Sequence, residues 1–583
     1  MPPAGMIVYG DSARPADPRD RLRRLAEGLC AVAARPPGIR RHGALVARFI
    51  EAGELVQGLA DAEFAARGED APSAAQQEGM ALLLRLALAV QDSWSSGFRH
   101  LPPLPDSTLT APLPKAILPK RAEGFSFYAL YPESYLCAAA EAALGADTLV
   151  IGLRSIGLPL AALVAAALGA APPVTLRPVG HPFQRRLALS APLEARLRQG
   201  RGAYAIVDEG PGLSGSSMGV VADFLEDGGV PPARLHFFPS HGGAPGPQAS
   251  ERHRARWSRA PRHLCDFDRL VLGATVPAHR LEHWVADLAG PAEGAPRDIS
   301  GGGWRALRYG ATDRWPPANP QQERRKFLLR AGGRDWLLSF SGLGPEGERK
   351  AGMARALSEA GLVPPMAGWR HGFQVSAWQG EACGLDQAPR PAAALLGPVA
   401  RYLTFRQRHF DGEAAGADLA ALWDMACHNT AEALGEPTAR ALRRRQPDLA
   451  RLEGRLRRIA GDNRLQAWEW LALPDGRLLK ADALDHHAAH DLVGCQDLAW
   501  DLVGAEMELG LDAEALLAVV AAEGGAAPDP ALLECYRPCY LAFQLGAASM
   551  AAAACQGLPE EARRLTAEAG RYTAALRRLL ATG

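Results

Sequence analysis

The sequence predicts a multidomain protein of α/β and α+β class. A helical N-terminal region leads into a parallel-sheet α/β domain, and a part built from hairpins and helices follows. Length is the first reason: 583 residues are too many for one hydrophobic core. The second is a change in apolar period, from helical spacing to about Trp94, to strands alternating with helices, to hairpins among helices. The third is punctuation: the proline-rich stretch LPPLPDSTLTAPLPKAILP reads as a connector. We place the divisions at 1–105, 122–245, 246–320 and 321–583.

In the first region, RDRLRRLAEGLCAVAA, GALVARFIEAGELVQGLADAEFAA and QQEGMALLLRLALAVQDSW each carry apolar residues at helical spacing. In the second, DTLVIGL, PVTLRPV, AYAIVDE and RLHFFPS read as strands, separated by helices such as PLAALVAAALGA and SMGVVADFLEDGG. That alternation predicts a parallel sheet, with ligands bound outside the carboxyl ends of the strands. The segment 246–320 is rich in Gly, Pro and Arg and is expected to extend the α/β domain or join it to the next part. Beyond it, RRKFLLRAGGRDWLLSFSGLG reads as a hairpin turning at Gly332–Gly333. GPEGERKAGMARALSEAG is a helix, WRHGFQVSAWQGEA a hairpin, and LQAWEWLALPDGRLLKAD a hairpin around Pro474–Asp475–Gly476.

Composition excludes several classes. Net charge is zero, so no global field favours nucleic acid or an anionic membrane. No apolar run reaches the roughly 18 to 20 residues that span a bilayer. The opening MPPAGMIVYGDSARP lacks the pattern of a signal peptide. Nine scattered cysteines do not make a disulfide framework, and a cytoplasmic protein with reduced thiols is expected. Lysine is confined to Lys115, Lys120, Lys326, Lys350 and Lys480, so a lysine-dependent site has few candidates.

The stretch AIVDEGPGLSGSS places Asp208 and Glu209 at the end of an apolar strand, before a loop with Ser214, Gly215, Ser216 and Ser217. A Gly/Ser loop feeding a helix presents backbone N–H groups and hydroxyls to an anion. Two carboxylates beside it suit sugar hydroxyls or a bound cation. This combination resembles the phosphoribosyl-diphosphate motif of the type I phosphoribosyltransferases. The acid pair stands about one residue further from the Ser–Gly than in that family. Either Gly210–Leu213 bulges, or Glu209 takes the first acid's place. Upstream, Arg154, Ser155 and Gly157 in GLRSIG are similar to the family's diphosphate loop. Arg177, His181, Arg185 and Arg186 in LRPVGHPFQRR are similar to its mobile loop, or form a solvated basic loop. The resemblance implies displacement at the ribose anomeric carbon, with Asp208, Glu209 and Arg154 catalytic, magnesium on the acid pair, and phosphoribosyl diphosphate as the partner molecule.

From about 321 to 583 the order of elements resembles the aminoglycoside phosphotransferase and choline kinase family, which implies a two-lobed kinase-like domain. Ser339 in WLLSF falls where that family has its strand lysine. Asp462 matches the catalytic-loop Asp, but Ala460 replaces the preceding His and Ala467 the metal-binding Asn. Asp482 matches the second metal-binding Asp, and Asp497 and Asp501 match structural acids. The resemblance therefore implies a degenerate kinase site, with use of ATP in doubt, or an unusual active kinase using Asp462, Asp482 and Lys480. In DHHAAHD, His486 and His490 could share a helix face and bind a metal, or belong to a polar surface segment. Three functions stay open: a phosphoribosyltransferase joined to an inactive kinase-like domain, a phosphoribosyl-ligand sensor, and an atypical small-molecule kinase with a regulatory α/β domain.

Overall fold

The computed structural model describes residues 14–320, 322–412, 416–488, 492–555 and 557–582. Three long helices open it: α1 (Pro18–Ala33), α2 (Ile39–Arg67) and α3 (Ala74–Ser95). Asp17 and Ser73 cap the first and third by accepting from backbone N–H groups, and Gly68 ends the second in the left-handed region. The connector leads to the short α4 (Glu123–Phe127) and to α5 (Pro132–Glu141).

The α/β unit runs β1 (Leu149–Leu153), α6 (Gly157–Leu168), β2 (Val174–Leu176), the small hairpin β3 (Val179–His181) and β4 (Gln184–Arg186), α7 (Ala191–Arg198), β5 (Tyr204–Val207), α8 (Ser216–Asp227) and β6 (Leu235–Phe238). Strands β2-β1-β5-β6 form one parallel sheet in that order. Chain order reverses between β1 and β5, so the loops after both strands meet at one switch point. Gly157 makes that approach possible, because a Cβ there would lie 2.6 Å from the Val207 carbonyl oxygen.

The segment after β6 carries α9 (Glu251–Arg259), the single turns α10 (Leu281–Trp284) and α11 (Ala286–Ala289), and β7 (Arg297–Asp298). It touches both neighbours: Phe237 of β6 bridges to Arg262, and β7 pairs with the strand at 326–331. That strand, β8 (Lys326–Ala331), is followed by β9 (Arg334–Phe340), α12 (Gly344–Glu359), β10 (Met366–Arg370) and β11 (Phe373–Ala377). Together they form an antiparallel sheet, β10-β11-β9-β8-β7.

A second sheet of three strands combines β12 (Cys383–Gly384), β13 (Trp470–Ala472) and β14 (Leu478–Lys480). The helices α13 (Ala392–His409), α14 (Leu419–Leu434), α15 (Glu436–Arg444), α16 (Leu449–Glu453), α17 (Leu498–Leu509), α18 (Ala513–Ala522), α19 (Pro530–Ala554) and α20 (Pro559–Thr582) complete this lobe.

The cores do not follow the divisions read from the sequence. One apolar cluster unites α1–α3, α5, α6 and the five-stranded sheet, through Phe49, Leu86, Leu163, Phe327, Leu338 and Phe373. The other face of the parallel sheet has its own core against α7 and α8, and the C-terminal helices form a third. The cysteines are free thiols. No helix among the described residues is long and apolar enough to cross a membrane.

Candidate functional site

Two clefts hold part of the residues singled out in the sequence, Asp208 and Glu209 in one and Ser339 and Asp482 in the other. In the α/β unit, Asp208 and Glu209 follow β5 and line a cleft with Ile156, Gly210, Gly212, Ser240 and Arg325. The Glu209 N–H donates to Asp208 Oδ1 at 2.8 Å, and the Tyr135 hydroxyl donates to the Asp208 carbonyl at 2.9 Å. Burial pushes the Asp208 carboxyl up to about 7, only partly offset by that N–H and by Arg177. Ser214 and Ser216 lie under the β3–β4 hairpin: both hydroxyls donate to the Pro182 carbonyl, at 3.3 and 2.6 Å. Gly215 takes a φ of 61° to turn the chain into α8, which Ser216 and Ser217 begin.

The arginines of the sequence pattern separate. Arg185 Nη1 donates to the Gly180 carbonyl at 3.1 Å, and Arg186 is exposed on the hairpin beside it. Arg154 and Arg177 instead turn toward two acids of the N-terminal region. Arg154 Nε lies 2.9 Å from Asp61 Oδ1, and its Nη2 donates to Asp70. Arg177 Nε donates to Asp61 at 2.9 Å and its backbone N–H to Asp70 at 2.7 Å. Ser155 joins Arg154 through a cis peptide bond. Asp61 and Asp70 were not anticipated; nothing in the helical pattern around Asp61 in α2, or in the loop that carries Asp70, distinguishes them from solvated acids.

The second cleft runs between the five-stranded sheet and the segment 464–486. Leu337, Ser339, Gln374 and Ser376 of the sheet line it together with Arg464, Glu469 and Asp482 of that segment, and Ala377–Gln379 line it as well. Lys326 also lines it. The two-residue turn at Gly332–Gly333 sets a register in which Lys326 pairs directly with Ser339. Directly opposed residues share a face of a sheet, so the lysine stands beside the position where the family pattern has one. Lys326 Nζ lies 3.3 Å from Glu323 Oε2. Burial works against its charge, but Glu323 and Asp482 outweigh it and hold the ammonium above its usual range. This residue was legible in the sequence by counting back from the glycine pair.

Asp462 occupies a closed polar nest. It accepts from the Tyr402 hydroxyl, and Lys480 Nζ and His486 Nδ1 lie 3.3 and 3.4 Å from its Oδ1. Burial is outweighed by Lys480, His486 and Arg406, so the carboxylate is held far below its ordinary range. Lys480 also donates to Glu469 at 2.8 Å. Arg406 donates to the carbonyls of Ala460 and Gly461, which fixes the loop where the family pattern has a His. Asp501 accepts the N–H groups of Asp462 and Asn463 at 2.8 and 2.7 Å, and burial together with the Asp462 charge raises it to about 6. Asp497 caps α17 by accepting from Ala499 N at 3.0 Å.

Asp482 lines the cleft as a carboxylate; burial is outweighed by His486 and Lys326, which lower it. Its oxygen donors suit a hard cation shared with phosphate groups. Lys350 pairs with Asp485 and sits over the Phe127 ring, and it does not itself line the cleft. The helix face that His486 and His490 could have shared is not formed over 486–488, which make a turn, and the segment is not a polar surface either, since Asp485, His486 and His487 are buried; His490 lies outside the described residues.

No protein-family model and no curated protein matches the chain. Among solved structures, choline kinase LicA from Streptococcus pneumoniae is similar at 14% identity and a TM-score of 0.28, over 44% of this chain and 90% of that one. A choline/ethanolamine kinase family protein from Mesorhizobium loti is similar at 18% and 0.27, over 44% and 88%. A macrolide 2'-phosphotransferase type I is similar at 13% and 0.31, over 51% and 97%. None of these likenesses bears on which groups do chemistry here.

Proposed function

We propose that the C-terminal part is an atypical kinase-like domain that binds a nucleotide and transfers its terminal phosphoryl group to a small hydroxyl-bearing molecule, with the α/β unit as a regulatory neighbour. One observation carries this reading: Lys326, opposite Ser339, presents a charged ammonium to the same cleft as Asp482. Phosphoryl transfer needs little covalent help from the protein; it needs phosphates held in line and their charge neutralised. Lys326 meets the phosphates in place of a lysine on β9. Asp482 holds magnesium, which neutralises charge on the phosphates when bound. Leu337 and Leu471 offer apolar surface to a base. Asp462, already neutralised by Lys480, acts in this scheme as an anchor of the loop rather than as a proton acceptor. The reading that the cleft is inert would be favoured by failure to bind nucleotide. Titration of the folded full chain with ATP and magnesium tests it, followed by ADP release with a panel of aminoalcohols and sugars. Absence of nucleotide binding by the folded wild type would sink the proposal.

A second reading concerns the α/β unit and rests on the acid pair and serine loop at its switch point. It binds a ribose 5-phosphate ligand such as phosphoribosyl diphosphate, the phosphate on Gly212–Ser217 and the diol on Asp208 and Glu209, with magnesium. The burial of Arg154 and Arg177 against Asp61 and Asp70 favours binding over transferase chemistry, since these cations are already paired. Calorimetry with phosphoribosyl diphosphate, with and without magnesium, checks it.

A further inference from the structure

Helix α2, helix α5 and the β10–β11 turn each send one ionisable side chain to a single point in the shared core. The side chains of His42, Glu133 and His371 are 0% exposed. His42 Nε2 lies 2.7 Å from Glu133 Oε1, and His371 Nε2 lies 3.3 Å from the same oxygen. One potential ligand atom from each residue falls within 4.8 Å of the other two. The rings of Trp94, Phe98, Tyr131 and Trp284 wall the point off.

Buried polar atoms need partners. Here His371 Nδ1 and Glu133 Oε2 make no hydrogen bond, and His371 Nε2 has only its 3.3 Å approach to Glu133 Oε1, outside hydrogen-bond geometry. The surroundings nevertheless fix the groups in place. Ser93 Oγ lies 2.9 Å from His42 Nδ1, which directs Nε2 inward. The Tyr131 hydroxyl donates to the His371 carbonyl at 2.9 Å. His371 itself takes a φ of 41°, a conformation uncommon outside glycine, and Gly372 takes 93°. The turn thus keeps an unfavourable backbone that carries the imidazole into the core.

We propose that His42, Glu133 and His371 form a structural site for a divalent first-row cation, zinc foremost, that clamps the N-terminal helices to the five-stranded sheet. Two imidazoles and one carboxylate are a donor set for zinc rather than for magnesium or calcium. The second oxygen of Glu133 would supply a fourth donor in a buried site walled by aromatic rings. The other cluster of this kind among the described residues, Asp462, Glu469 and His486, differs in one respect: Lys480 already supplies a cation, 2.8 Å from Glu469 and 3.3 Å from Asp462.

The test is metal analysis of the full chain after exhaustive dialysis, with cobalt(II) as a spectroscopic probe of the apo protein. About one zinc per chain is expected, together with the visible bands of tetrahedral cobalt. Both are lost in His371→Ala and kept in His486→Ala. Chelation lowers the Tm of the wild type and leaves that of His371→Ala unchanged. Folded wild type that takes up no zinc and gives no cobalt bands would establish a metal-free His–Glu–His triad and overturn the proposal. So would metal retained equally by His371→Ala. The wild-type measurements decide the question even if that variant does not fold.

Discussion

Lys326 stands directly across the β8–β9 ladder from Ser339, and both line the cleft that holds Asp482. The register of that ladder puts the lysine ammonium and the serine hydroxyl on the same face of the sheet.

The first prediction follows from that pairing. Lys326→Met should abolish detectable ATP binding, measured by calorimetry, with little change in Tm. The exchange Lys326→Ser with Ser339→Lys should restore at least part of the affinity, because directly opposed side chains reach the same space. Unchanged binding by Lys326→Met would remove the lysine from the site.

Asp482→Asn should leave nucleotide affinity in the absence of magnesium intact and remove its increase on adding magnesium. If transfer occurs, its rate should fall about 100-fold or more, as for loss of a group that stabilises developing charge. Titrations at two magnesium concentrations separate the two effects.

Lys480→Met should act on stability first. It leaves Asp462 and Glu469 without their shared ammonium in a buried place. Removing one partner of a buried ion pair costs about 3–5 kcal/mol, which urea denaturation would register. Loss of nucleotide binding with full stability would instead make Lys480 a ligand group.

Asp208 gives a pH dependence. Its folded-state value is raised from 3.8 to about 7, so the native state holds this proton more tightly than the unfolded chain. Its contribution to stability is therefore full below about 4 and declines as pH rises to about 7. Magnesium or a ribosyl diol on the ionised carboxylate must displace that proton. Affinity should rise up to about tenfold per pH unit below 7 and level off above it. In Asp208→Asn the profile should be flat; a wild-type profile without slope would dissociate Asp208 from binding.

Arg154→Ala should destabilise by about 3–5 kcal/mol, since it takes the guanidinium away from buried Asp70, while Asp61 keeps Arg177. Arg186→Ala, on the exposed hairpin, should change stability by no more than about 0.5 kcal/mol. Denaturation curves of the two variants distinguish a structural arginine from a loop arginine.

Local elements were legible because their signals are local. Apolar period gave α1–α3, and glycine pairs or Pro-Asp-Gly gave the hairpins at 326–340 and 470–480. The Asp208–Ser217 loop declared itself by its residue types at a strand end. The same glycine pair even contained the position of Lys326, since a two-residue turn fixes which residues face each other.

Pairings across the chain were not legible, because no spacing rule links residues far apart in sequence. Asp61 and Asp70 capture Arg154 and Arg177 only because the end of α2 and the loop that follows it come to the residues just after β1 and β2. His42, Glu133 and His371 meet only because three segments share one core. The sequence by itself determined the N-terminal helices, the four parallel strands, the glycine-turned hairpins and the kinds of side chain at the Asp208–Ser217 loop, but not the elements of 246–320 or the β3–β4 hairpin. Tertiary structure decided which of those side chains are neutralised and which still face a cleft. Burial and ion pairing depend on what packs against a residue, and a neighbour far along the chain leaves no mark beside it.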